Sequence, residues 1–89
     1  MRIKEGYVIR TVGDKHIVIP IGEASIEFKG IMTLNESGAL LFQALKEDVN
    51  EAFLVNKLMS TYDVDDELAK KDVETFIEKL RKHQLLENE

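Results

Sequence analysis

The spacing of apolar residues in this chain changes at one segment, Leu34-Asn35-Glu36-Ser37-Gly38. Upstream of it, apolar residues alternate within short runs of β-branched and aromatic side chains, as in strands. Downstream of it, they recur every three or four positions up to the end of the chain, as on one face of a helix. This change of period predicts an α+β chain in which three short strands precede three helices.

The strand half contains two runs that predict an antiparallel hairpin. Tyr7–Val12 and His16–Ile21 are rich in Val and Ile, and Gly13-Asp14 lies between them as a turn. Pro20 has no backbone N–H, so we expect it at the end of its strand or at an unpaired edge. We predict a third strand near Lys29–Leu34.

The helical half begins with a capping residue. Asn35 can accept an unpaired N–H of the first helical turn, and the first predicted helix runs to about Lys46. Asn50 is the next candidate cap and precedes the second helix. The third helix is predicted over 66–83, and Leu85-Leu86 is expected to fold back over the bundle.

Length and charge limit the possible functions. The chain has 89 residues, which predicts a single domain over 1–89, and it has no cysteine and a net charge of −5. An acidic balance weighs against sequence-independent binding to nucleic acid, whose phosphates attract basic surfaces. No apolar run approaches 18 residues, so no membrane association is expected and a cytoplasmic location is the default.

No group of residues predicts catalysis or a cofactor. His16 and His83 have no partner at ligand spacing, and the carboxylates of Asp63, Asp65, Asp66 and Glu67 lack the glycine and late glutamate of a calcium loop. Helix capping explains these carboxylates more simply. We therefore expect a binding module with no catalytic residue, no metal and no cofactor.

Two binding surfaces fit this pattern. The helices could form a helix-turn-helix that binds DNA through the third helix, although the acidic charge disfavours it. Alternatively, the edge of the third strand could accept an extended peptide as an added strand, beside a groove formed with the third helix. The same edge could instead serve a purely structural role as a homodimer contact.

The chain resembles the PqqD family, the peptide chaperones similar to coenzyme PQQ synthesis protein D. The junction of Leu, Asn, Glu, Ser and Gly is the most specific part of the resemblance. The segments that carry it are Tyr7-Val8-Ile9-Arg10, Leu34-Asn35-Glu36-Ser37-Gly38-Ala39, Leu54-Val55, Tyr62-Asp63-Val64-Asp65, Phe76-Ile77-Glu78-Lys79-Leu80 and Leu85-Leu86. The longer stretch Gly22–Gly30 departs from the family's commonest form.

The resemblance implies a winged-helix-like domain that acts as a recognition element in natural product biosynthesis. Such a domain binds the leader segment of a ribosomally synthesised precursor peptide as an added strand, and a partner maturase, often a radical SAM enzyme, then modifies the peptide. Holding a flexible leader raises the local concentration of its core at the partner's active site. The peptide-binding residues implied for this chain are Lys29, Gly30, Ile31, Met32 and Thr33 on the third strand, and Val73, Phe76, Ile77 and Leu80 on the third helix. Which of the helical residues face the groove and which face the core stays open. A winged-helix DNA-binding domain and a homodimeric structural domain are the alternatives.

Overall fold

The computed structural model describes residues 1–22 and 32–87, which form an antiparallel sheet followed by helices. The strands occur in the order β1-β2-β3 across the sheet. The elements are β1 (Tyr7–Val12), β2 (Lys15–Pro20), β3 (Met32–Leu34), α1 (Glu36–Ala44), α2 (Glu51–Thr61) and α3 (Asp66–Lys82). This order confirms the predicted α+β class, while the predicted start of the third strand at Lys29 lies outside the described residues.

The hairpin of β1 and β2 closes through a two-residue loop. Val12 lies opposite Lys15, and Gly13 between them has φ of 66°, a conformation that glycine adopts without steric cost. At the other end of the ladder, Pro20 is the last residue of β2, as predicted. β2 then pairs with β3 in antiparallel register, with Ile17 opposite Thr33.

The core lies between one face of the sheet and the helices. Tyr7, Val18, Met32 and Leu34 are the buried residues of the three strands. The helices and the segments beside them contribute Leu41, Phe42, Leu45, Leu54, Val55, Leu58, Ala69, Val73, Phe76, Ile77 and Leu80, and Ile3, Leu85 and Leu86 complete the cluster. No helix in the described ranges has the length and apolar character needed to cross a membrane.

Side-chain caps begin each helix. Asn35 Oδ1 accepts the Gly38 N–H at 2.8 Å, and Asn50 Oδ1 accepts the Phe53 N–H at the same distance, so both predicted caps are confirmed. Asp65 caps α3 in the same way. Each cap satisfies one of the N–H groups that the first turn of a helix leaves unpaired.

A Schellman motif ends α3, although no glycine marks this position. The Gln84 N–H bonds to the Arg81 carbonyl at 2.9 Å, and the Leu85 N–H bonds to the Leu80 carbonyl at 2.9 Å. Gln84 takes the left-handed conformation that the motif requires, with φ of 57°. The reversal returns the chain toward the last turn of α3, and the side chains of Leu80 and Leu85 are both fully buried.

The segment after this motif folds back on the N-terminal residues. The Lys4 N–H bonds to the Leu85 carbonyl at 2.8 Å, and Leu86 pairs with Ile3 in an isolated antiparallel bridge. Leu85 and Leu86 are 0% and 1% exposed. The prediction that this pair covers the bundle is confirmed.

Replacing Gln84 with glycine should stabilise the protein, because the left-handed conformation costs an L-residue about 1 kcal/mol or more. We expect Gln84→Gly to raise the free energy of unfolding by roughly 0.5–1 kcal/mol after the larger chain entropy of glycine is deducted. Gln84→Val, whose β-branched side chain fits this conformation poorly, should lower it. Urea denaturation of the three proteins checks this order, and a Gln84→Gly protein less stable than the parent would contradict it.

Candidate functional site

A cleft of about 430 Å³ lies where β3 and the start of α1 face α3, and it is called the β3–α3 cleft below. The strand and the helix form its two sides, and the β3–α1 junction forms one end. Its lining residues are Thr33, Leu34, Asn35, Ser37, Gly38, Leu41, Asp72, Thr75, Phe76 and Lys79.

The junction between β3 and α1 is held closely by the Asn35 cap. Asn35 Oδ1 accepts both the Gly38 N–H at 2.8 Å and the Ser37 hydroxyl at 3.0 Å. A Cβ atom added at Gly38 would lie 3.3 Å from Leu34 Cβ and 3.2 Å from Asn35 Oδ1, both tighter than ordinary contacts. Gly38 therefore allows the first turn of α1 to sit directly against the last residue of β3.

The register of the sheet decides which backbone groups of β3 point away from β2. The Ile21 N–H, just after β2, bonds to the Gly6 carbonyl at 2.7 Å, so Ile21 directs its backbone groups toward β1. Because successive residues of a strand direct these groups to opposite sides, Ile17 also directs its groups toward β1. Thr33 lies opposite Ile17, so its N–H and C=O point away from β2 to the outer edge of β3.

A direct contact agrees with this orientation. Lys79, on α3, donates from Nζ to the Thr33 carbonyl at 3.2 Å. Since β2 lies on the other side of β3, this carbonyl faces α3 across the cleft. The Thr33 side chain is exposed, whereas its neighbours Met32 and Leu34 are buried in the core. The outer edge of β3 and the cleft are thus one continuous surface.

The charges along α3 differ between the two ends of the cleft. Asp72 lines both the β3–α3 cleft and a neighbouring cavity next to Glu36, so the end near the α1 N-terminus is acidic. Lys79 lies two turns further along α3, beside Thr33, so that end is basic. The cleft is therefore acidic at one end and basic at the other.

Comparison with known proteins assigns the family. The model of the family described as "Coenzyme PQQ synthesis protein D (PqqD)" matches residues 16–86, which is most of the chain. The chain belongs to the PqqD family. The match begins within β2 and extends to Leu86 in the tail, so β1 lies outside it. No curated protein matches the sequence.

Two solved structures of similar proteins share the fold. "TbiB1 in Complex with the TbiA(beta) Leader Peptide" superposes with a TM-score of 0.75 at 20% identity, covering 100% of this chain and 98% of that chain. "Lasso peptide synthetase B1 complexed with the leader peptide" has a TM-score of 0.70 at 18% identity and covers 94% of this chain and 93% of that chain. The sheet and helices of this PqqD family member thus recur in these proteins over almost their whole length.

The residues expected to bind a peptide fall into three groups: those that line the cleft, those that are buried in the core, and those that lie outside the described residues. Thr33 is exposed at the cleft, and Phe76 lines the cleft while remaining only 7% exposed. Met32 is 2% exposed in the core. Lys29, Gly30 and Ile31 lie outside the described residues.

The remaining three helical residues belong to the core side of α3. Val73, Ile77 and Leu80 are 0%, 2% and 0% exposed, and none of them lines the β3–α3 cleft. Their side chains hold α3 against the rest of the protein because they pack among the buried residues of the other elements. Of the four helical residues, Phe76 lines the cleft and the other three do not, while the binding role expected for them stays a prediction.

Sequence reasoning missed the polar residues that line the same side of α3. Asp72, Thr75 and Lys79 are exposed and lie three to seven positions apart, next to Phe76 on the helix surface. This spacing is the helical signal that could have found them, since residues three and four apart share a face. Apolar periodicity alone selects the core stripe instead.

The two histidines and Asp65 make local contacts. His16 Nδ1 lies 2.9 Å from the Thr11 hydroxyl on the neighbouring strand, and His83 Nδ1 lies 3.0 Å from the Lys79 carbonyl. Asp65 accepts the Leu68 N–H as a helix cap. Within residues 1–22 and 32–87, no cluster of three or more His, Asp or Glu residues could hold a metal ion.

Shortening Ile77 should weaken the fold without changing the cleft surface. Ile77→Val removes one buried methylene-sized group and should lower the free energy of unfolding by about 1 kcal/mol. Thr75→Ala, on the exposed side of the same helix, is the matched control and should change it by less than about 0.5 kcal/mol. Chemical denaturation measures both. Equal stability of the two variants would show that Ile77 is not a core residue.

Proposed function

We propose that this chain is a peptide recognition element that binds the leader segment of a ribosomally synthesised precursor peptide. The leader adds as a strand to the outer edge of β3 and lies in the β3–α3 cleft. The observation that carries the proposal is the orientation of Thr33, whose N–H and C=O point outward at the rim of this cleft. An extended peptide pairs with such groups through its own backbone.

The family and the similar structures support the same assignment. The chain belongs to the PqqD family, and both similar proteins were solved with a leader peptide bound. Those proteins share less than 25% of their residues with this chain, so their fold is the direct link and their ligand is an analogy. Within residues 1–22 and 32–87, no strand pairs with the outer edge of β3, which gives that analogy a physical basis in this molecule.

The lining of the cleft suits a peptide strand. Leu34, Leu41 and Phe76 provide apolar surface between β3 and α3, and Thr75 and Asp72 provide polar groups along the helix side. Backbone pairing at Thr33 supplies affinity that does not depend on sequence, whereas alternate side chains of the peptide contact the cleft and supply specificity.

The proposed role is to bind and present, without catalysis and without a cofactor. A leader held in the cleft keeps the attached core segment near a maturation enzyme such as a radical SAM protein, which raises its local concentration there. This action needs only a stable complex and a free C-terminal part of the peptide. The cytoplasm, where precursor peptides are made, is the proposed location.

Proline at position 33 should abolish peptide binding while leaving the fold intact. Thr33→Pro removes the N–H that faces the outer edge of β3, and the pairing with β2 does not use this group. Thr33→Val is the matched control, because it keeps the N–H and the β-branched shape. We expect Thr33→Pro to raise the Kd for a leader peptide encoded beside the gene by at least about tenfold, and Thr33→Val to leave it within about twofold. Isothermal titration calorimetry measures the Kd, and circular dichroism checks the fold.

Two results would contradict the proposal. Binding of the leader with unchanged affinity by a folded Thr33→Pro protein would exclude strand addition at this edge. Binding of none of the leader peptides by the parent protein would exclude the function itself.

A further inference from the structure

Lys79 already occupies the backbone group to which an added strand would bind. Its ammonium donates to the Thr33 carbonyl at 3.2 Å, across the cleft from α3 to β3. We propose that Lys79 is a displaceable cap on the β3 edge, and that it selects leader peptides with an acidic side chain at this end of the cleft. The inference rests on the proposed function and adds the chemical class of the peptide.

The cap must be displaced when a strand is added. The Thr33 carbonyl points to the outer edge, where the N–H of an added strand would donate to it. Lys79 approaches this carbonyl from the side on which the peptide would lie. Strand addition therefore replaces one donor by another at Thr33 and releases an ammonium group beside the bound peptide.

The released charge has no partner of its own. Among the described residues, Lys79 is in no ion pair, whereas Lys70 pairs with Asp66 at 2.8 Å and Arg81 pairs with Glu78 at 2.9 Å on the same helix. The hydrogen bond from Lys70 to the Asp66 carboxylate also raises the pKa of Lys70. A lysine displaced into a partly covered interface is stabilised by an anionic partner, and a carboxylate of the peptide supplies one.

The other end of the cleft fixes where this carboxylate lies. Asp72 is seven residues before Lys79, a distance of about 10 Å along the helix axis. Asp72 and Glu36 line the same cavity next to the cleft. An acidic peptide residue at that end would be repelled. The charge pattern therefore favours one placement of the peptide, with its acidic residue next to Lys79.

The same contact has a role in the free protein. An unpaired strand edge is a site for pairing with another copy of the chain, and a lysine at an edge opposes such pairing. Lys79 covers the outward carbonyl of β3 until a peptide replaces it. Displacing this bond costs binding free energy. A peptide with a carboxylate beside Lys79 recovers that cost, whereas a peptide without one does not.

The test measures the Kd of a leader peptide encoded beside the gene, and of analogues in which each Asp or Glu is changed in turn to Asn or Gln. Lys79→Met keeps the length of the side chain and removes its charge. Lys71→Met, on the exposed surface of the same helix and outside the cleft, is the matched control. With the parent and Lys71→Met proteins, we expect one analogue to bind roughly three- to tenfold more weakly than the leader. On the Lys79→Met protein, the Kd values of this analogue and of the leader should agree within about twofold. The Kd of the analogue for Lys79→Met should be equal to or lower than its Kd for the parent.

Each contrary result points to a different failure. Suppose that the parent binds the leader, and that for every analogue the ratio of its Kd to that of the leader is the same on Lys79→Met as on the parent. Then the selection by Lys79 is wrong and the proposed function stands. A bound leader that contains no acidic residue also overturns the selection. If the parent binds no leader peptide, the proposed function fails and this inference fails with it.

Discussion

The alternation of backbone hydrogen bonds across the sheet is the constraint on which the site depends. The bond from Ile21 to Gly6 fixes which residues of β2 pair with β1, and the register then fixes the orientation of Thr33. A shift of one residue in the β2–β3 ladder would direct the groups of Thr33 toward β2 and bury its side chain. The pairing of β2 with β3 therefore sets the outward orientation of Thr33, on which the proposed peptide site rests.

Helix α3 contributes to both the core and the cleft because its buried residues and its cleft residues lie on adjacent faces of the helix. Val73, Ile77 and Leu80 anchor it against the other helices and the sheet. The neighbouring stripe, which includes Asp72 and Lys79, is exposed to the cleft. Since the core stripe holds the helix in place, the distance across the cleft is set by packing. Under the proposed function, an added strand would therefore meet a preformed surface.

Several features of this structure could be read from local sequence signals. The sequence predicts Asn35 and Asn50 as caps, because a side-chain oxygen just before a helix accepts an N–H of its first turn. The left-handed Gln84 could not be found, because its conformation is imposed by the burial of Leu85 and no glycine signals it. The orientation of Thr33 requires a register between strands, and the division of α3 requires the tertiary packing, neither of which is encoded within a short window.

The most direct test of peptide addition at β3 is a backbone-amide NMR titration of the isotope-labelled protein with a leader peptide encoded beside its gene. The account predicts that the largest shifts occur at the Thr33 amide and along the cleft side of α3, from Asp72 to Lys79, with protection of the Thr33 N–H from hydrogen exchange. Shifts concentrated instead on the outer edge of β1, with Thr33 unchanged, would contradict it.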